Sequence, residues 1–265
     1  MQHPSHPRYR LLVDVGAAAR PTKTTAAILR ASIVAFIGLA VALPGCGPSA
    51  DSGVLRPQDK KLPEGVTFDP TSVMTDSSFV DTTPADVAAL LQFLQKTPYD
   101  APSFLATYAS NGVTAPLAIV RASRKYRINP IVFLAHAERA QGLIGSRSYP
   151  FPATRVEFVF ACGCTAPGRC DLAVGGFDKQ VDCLGRALRA NFDQLTGPNQ
   201  ATDGGWAVGA PTKTIDGALV TPQTNATAAL YQYLPVVGDA SSGNQAYFTI
   251  YQLYATALSY FDPGG

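Results

Sequence analysis

General acid–base chemistry needs carboxylic acids or histidine placed where a reacting group can meet them, and in this 265-residue chain a few stand out. The candidates are Glu138, Glu157 and Asp171, with His136 two residues before Glu138. Paired carboxylates divide such work, one giving a proton while the other takes one or attacks. No pair here declares itself by spacing. Glu64 sits in a Pro- and Gly-containing stretch. His136 is the single histidine beyond position 45. That excludes a multi-histidine zinc amidase. A Ser-His-Asp hydrolase would need that same histidine and a nucleophile-elbow sequence, which is absent. There is no Gly-rich phosphate loop.

His136 and Glu138 belong to the segment INPIVFLAHAERAQGLI. Asn129 is an N-cap type and Pro130 suits the first helical position, where a missing N–H costs nothing. Ile131 to Ala137 are apolar nearly all round, as in a helix buried in a core. Gly142 suits the helix end. Glu138 then reads as an exposed carboxylate beside Arg139, Lys125 or Arg121, or as an acid in a cleft. His136 reads as a buried histidine or a cleft residue. Glu157 falls in a loop after this helix, next to Arg155, where an ion pair is the plain expectation.

The helices around it follow from apolar spacing. Val87, Leu90, Leu91 and Leu94 recur at helical steps behind Thr82, Thr83 and Pro84. Pro116 opens another helix, with Leu117, Val120 and Ala122 inward and Arg121, Arg124, Lys125 and Arg127 at its last turn. Phe177 to Phe192 repeat at three- and four-residue steps. Asn225 and Asn244 can cap two more helices, the last rich in aromatics. Ser146 to Gly175 reads as a loop, and Asp216-Gly217 as the turn of a short hairpin. The fold class is mostly α, a single helical domain with long loops.

The N-terminus reads as an address. Basic residues from Arg8 to Arg30 precede an apolar run, Ala31 to Leu43, too short to span a bilayer. It ends in Leu43-Pro44-Gly45-Cys46, which resembles a bacterial lipobox. Residues 1–45 are therefore expected to be a lipoprotein-type signal peptide. Cys46 is then the lipidated first residue, 46–65 a tether and 66–262 the folded domain. Gly47 after the cysteine resembles the outer-membrane sorting pattern of Gram-negative lipoproteins. The whole chain carries a formal charge of +2, but beyond Cys46 there are 16 basic and 18 acidic side chains. That balance gives no support for nucleic-acid binding. Four cysteines remain in this exported setting, and two disulfides are expected. Cys162 and Cys164 are too close to bridge each other comfortably. Two connectivities remain, and we favour Cys164–Cys170 with Cys162–Cys183. A zinc site is the less favoured alternative, so no metal and no cofactor is expected.

Several segments together resemble the lysozyme-like superfamily of goose-type lysozymes and lytic transglycosylases. More closely, the chain resembles secreted bacterial proteins of that superfamily often labelled hemagglutinin-like. The segments are Phe68-Asp69-Pro70, Asp76 with Phe79, Gln92-Phe93-Leu94, Ile128-Asn129-Pro130 and Gln141-Gly142-Leu143. Cys164, Cys170-Asp171, Gly176-Phe177 with Gln180-Val181, and Ala228 to Pro235 follow. Cys162 and Cys183 look like additions to the family's usual pair.

The resemblance implies a lysozyme-like domain acting on peptidoglycan β-1,4 strands through a glutamic acid ten residues after the helix-opening Pro. That position is Ala140. The resemblance further implies a glycan groove lined by His136, Gln141, Asp171, Phe177, Gln180, Tyr231 and Tyr233. The expected function is an exported lipoprotein that engages peptidoglycan or a related glycan without normal catalysis. The alternatives are a muramidase or transglycosylase with a displaced acid, Glu138 or Glu157, and a protein-interaction module. The expected location is the bacterial cell envelope, membrane-anchored through Cys46.

Overall fold

Asn129 shows how the chain assembles its core. Its side-chain Oδ1 accepts from the Ile131 N–H at 2.9 Å, capping the helix. Its Nδ2 donates to the Ser78 carbonyl at 2.9 Å and lies 3.2 Å from the Tyr251 hydroxyl. One buried amide thus joins three helices, and its N-cap bond alone contributes about 1 kcal/mol.

These observations come from a computed structural model that describes residues 65–166 and 169–260. They belong to the compact unit Val54–Gly265; the other unit, Met1–Gly53, lies outside the described residues. So do the expected signal peptide, Cys46 and nearly all of the tether.

The described chain is mostly helical. Eight helices run in order: α1 (Asp76–Val80), α2 (Val87–Gln95), α3 (Ala115–Tyr126), α4 (Pro130–Gln141), α5 (Thr154–Glu157), α6 (Phe177–Thr196), α7 (Asn225–Tyr233) and α8 (Gly243–Ala257). Three antiparallel hairpins interrupt them: β1 (Ala109–Ser110) with β2 (Val113–Thr114), β3 (Cys164–Ala166) with β4 (Arg169–Cys170), and β5 (Thr212–Lys213) with β6 (Leu219–Val220). No helix among the described residues is long and apolar enough to cross a membrane.

The helix α4 is central. Every residue from Pro130 to Glu138 is buried. It packs most extensively on α8 and also meets α3 and α6. Each fully buried Ile or Leu there is worth about 1.5–3 kcal/mol of burial. Next to it, α6 packs on both α3 and α7. Gly185 permits the close approach to α3, because a Cβ there would run into the Tyr126 ring. Phe192 of α6 stacks on Phe79 of α1 with ring centroids 5.1 Å apart.

Most expected elements are present, with shifted details. The cap of α2 is Asp86, which accepts from Ala89 N–H at 2.8 Å, rather than Thr82 or Thr83. Thr224 caps α7, and Ser242 is the N-cap residue of α8. Asn244 instead donates to the carbonyls of Leu234 and Val236, tying α8 to the end of α7. On α3 the inner residues are Ala118, Ile119, Val120 and Ala122, and Leu117 is half-exposed. The region 146–175 is not all loop: it holds α5 and the β3–β4 hairpin. Its disulfides pair as favoured, Cys162–Cys183 and Cys164–Cys170. The first bolts this region to α6, and the second closes the hairpin on itself.

Candidate functional site

The end of α4 turns sharply. Gly142 adopts the left-handed conformation at φ 64° and its N–H reaches the Glu138 carbonyl at 2.7 Å. The chain then folds back on the Glu138 side chain. Oε2 accepts from the N–H groups of Ile144 at 2.7 Å and Gly145 at 2.9 Å. Glu138 is only 5 % exposed, so it is not the surface carboxylate expected from the sequence. Burial raises its pKa, and the two N–H bonds and Tyr99 pull partly the other way. Gly145 fits this turn tightly: a Cβ there would lie 3.1 Å from Glu138 Oε1. This carboxylate closes a turn and is withdrawn from solvent.

One helical turn before Ala140, His136 is completely buried. Its ring lies between Tyr247, at 4.5 Å and 32°, and Tyr233, edge-on at 5.1 Å. Burial, and then the charge of Arg139, push its pKa well down, so the ring is neutral. Ala140 and Gln141 are half-buried beside it.

Glu157 is held quite differently. It closes the short helix α5 and stays half-exposed. Its Oε1 accepts from two phenols, Tyr108 at 3.2 Å and Tyr149 at 3.3 Å. No described residue hydrogen-bonds its Oε2. The expected ion pair with Arg155 does not form. Arg155 instead donates from Nη2 to the Gln141 carbonyl at 2.6 Å, satisfying one of the orphan carbonyls at the end of α4. That bond places α5 beside the end of α4. Burial, then the Glu157 charge, raise the pKa of both tyrosines, keeping them neutral donors.

Aromatic rings extend this nest outward. Phe104 meets Tyr108 and Tyr149 edge-on at 5.6 and 5.7 Å, and Tyr149 meets Phe151 at 5.7 Å. Phe151 is 79 % exposed. A large ring so exposed next to a carboxylate and two phenols is a surface suited to the C–H faces and hydroxyls of a sugar. Reasoning from sequence missed Tyr108, Tyr149, Phe151 and Arg155. The Tyr149-Pro150-Phe151-Pro152 run was the available signal: alternating aromatics and prolines in a loop.

The other expected site residues fall elsewhere. Gln180 is buried and its amide is spent on the main chain. Oε1 accepts from Phe160 and Cys162 N–H, and Nε2 donates to the carbonyls of Cys162 and Val174, all at 3.0–3.2 Å. Phe177 is in the core, and Tyr231 is fully buried, stacked on Trp206 at 4.8 Å. Asp171 is exposed and caps the turn after the hairpin, accepting from Ala173 N–H at 2.9 Å. Tyr233 keeps some exposure beside His136. The structure therefore places Phe177, Gln180, Tyr231 and His136 inside rather than on an open groove.

A broad open groove lies between the starts of α1 and α7 and the end of α6. Its polar groups are turned inward: Asp76 accepts from Ala226 N–H and Asn225 Nδ2, and Thr224 donates to the Met74 carbonyl. Among the described residues no group of three or more His, Cys, Asp or Glu could hold a metal. Comparison of the chain with family models, curated proteins and solved structures finds no match.

Proposed function

We propose that this is an exported, lipid-anchored protein with a lysozyme-like helical domain that engages peptidoglycan or a related glycan without normal catalysis. The observation that carries the reading is the Glu157 nest: a half-exposed carboxylate gripped by Tyr108 and Tyr149, with Phe151 standing open beside it. An acceptor oxygen between aromatic faces suits a sugar, which offers hydroxyl donors and apolar C–H patches. The glycan class, the envelope location and the Cys46 anchor rest on the sequence resemblance and the lipobox-like leader. The loss of turnover rests on Ala140 in the expected acid position and on Glu138, whose carboxylate is committed to Ile144 and Gly145.

A second reading has one observation in its favour. Glu157 is the carboxylate near the end of α4 that solvent can reach, and glycoside cleavage needs a carboxyl group that can meet the sugar. Incubating the purified full chain in detergent with peptidoglycan sacculi separates the two. The binding reading expects the protein to sediment with the sacculi and release no soluble muropeptides. Muropeptide release that E157Q abolishes would establish the enzyme instead.

A further inference from the structure

Arg139 is the unusual cation of this molecule. Other cations find partners: Lys125 meets Asp182 at 2.6 Å and Arg155 meets the Gln141 carbonyl. Arg121, Arg124 and Arg127 are exposed, where water suffices. Arg139 is half-buried, and its Nε lies inside with no hydrogen-bond partner among the described residues. The groups that bear on its charge are the phenols of Tyr233 and Tyr247, and no carboxylate is among them. A guanidinium stays protonated and carries only donors. Burying one without an anion is unfavourable, and such cations are normally paired.

The surroundings repeat the pattern. Both ring nitrogens of His136 and the hydroxyl of Tyr247 are buried without a hydrogen-bond partner among the described residues. His136 is one turn from Arg139 on α4, and its ring lies against both Tyr233 and Tyr247. Several unsatisfied polar atoms therefore cluster where α4, the end of α7 and α8 meet, next to Ala140. Buried polar atoms are rarely left unpaired, and such a cluster in a native fold calls for an explanation.

We infer that Arg139, with Tyr233, His136 and Tyr247 around it, forms a site for a monocarboxylate, and that it takes the acid group of a carboxylate-bearing glycan beside Ala140. The guanidinium fork matches a carboxylate. The charge balance favours a monoanion over a phosphate dianion. One positive charge is present, His136 is neutral, and the C-terminal end of α4 adds roughly half a negative charge from the helix dipole. The glycan part of this inference rests on the function proposed above; the carboxylate part does not.

The test uses the full chain in detergent micelles. The Nε–H resonance of Arg139, assigned by its loss in R139Q, is followed while D-lactate or inorganic phosphate is added at matched ionic strength. A saturable shift with D-lactate alone supports the site. No saturable shift with lactate, or an equal shift with phosphate, overturns it. Calorimetry then compares N-acetylglucosaminyl-N-acetylmuramic acid, which carries a lactyl carboxylate, with neutral chitobiose. The expected preference for the acid is about tenfold or more, falling to near unity in R139Q. Equal binding of both sugars by the wild type overturns the glycan half of the inference. If neither sugar binds while lactate does, the proposed function fails and the monocarboxylate site stands. R139Q should melt no lower than wild type, since it replaces a cation whose Nε is buried and unpaired with a neutral side chain. A clear fall would instead make Arg139 a packing residue.

Discussion

Glu138 and Glu157 stand at opposite ends of one connection and are held in opposite ways. Glu138 is sealed beneath the turn at Ile144–Gly145, gripped by main-chain N–H groups. Glu157 sits on the far side of that connection, gripped by two side-chain hydroxyls and left half-open. Backbone donors cannot move without unfolding the turn, so Glu138 serves the fold. Phenol donors sit on side chains that a ligand can share, so Glu157 is free to serve recognition. Burial and partner type, more than residue type, separate the carboxylate that holds the turn from the one left half-open.

Removing each carboxylate should expose that difference. E138A leaves two buried N–H groups unpaired and should cost about 2–4 kcal/mol of stability, read from urea denaturation. A loss under about 0.5 kcal/mol would show that the turn does not depend on this side chain. E157Q should leave the denaturation midpoint nearly unchanged yet weaken glycan binding by about 1.5–3 kcal/mol, as expected for a charge-assisted hydrogen bond, measured by calorimetry.

The pH dependence sharpens the contrast. Burial raises the folded pKa of Glu138 above its ordinary 4.5. Its contribution is therefore full below about pH 4.5 and is lost as pH rises through the folded value, by up to about 1.4 kcal/mol per pH unit. His136 runs the other way. Its folded pKa lies well below 6.5, so its contribution is full above about 6.5 and is lost as pH falls. Urea midpoints of wild type and H136F between pH 7 and 5 should diverge, with the wild type falling more steeply. Parallel curves would mean that His136 takes up its proton as readily in the fold as in the unfolded chain. The smallest effect belongs to Phe151: F151A should leave stability unchanged and weaken glycan binding by about 0.5–1.5 kcal/mol.

The elements were legible where local chemistry decides them. Asn129, Pro130 and Gly142 bounded α4 because capping and left-handed φ are properties of a few residues. The hairpin at Asp216-Gly217 was legible for the same reason. The disulfide pairing was narrowed by chain proximity. The site was less legible, because it depends on which side chains the packing turns inward. Gln180 and Tyr231 carry groups that suit a sugar, yet one is consumed by main-chain bonds and the other stacks on Trp206. Tyr108 and Glu157 are 49 residues apart, and no local pattern joins them. Arg155 turned from its neighbour Glu157 to a helix-end carbonyl, a choice only the fold of 142–156 reveals.

The most direct test of the account is one binding isotherm measured on two variants, E138Q and E157Q, with the same soluble muropeptide. Gln keeps an acceptor for the turn at 144–145, so E138Q should fold and bind within about twofold of wild type, whereas E157Q should lose about tenfold or more. A folded E138Q that no longer binds, beside an E157Q that binds normally, would contradict the assignment of the two carboxylates.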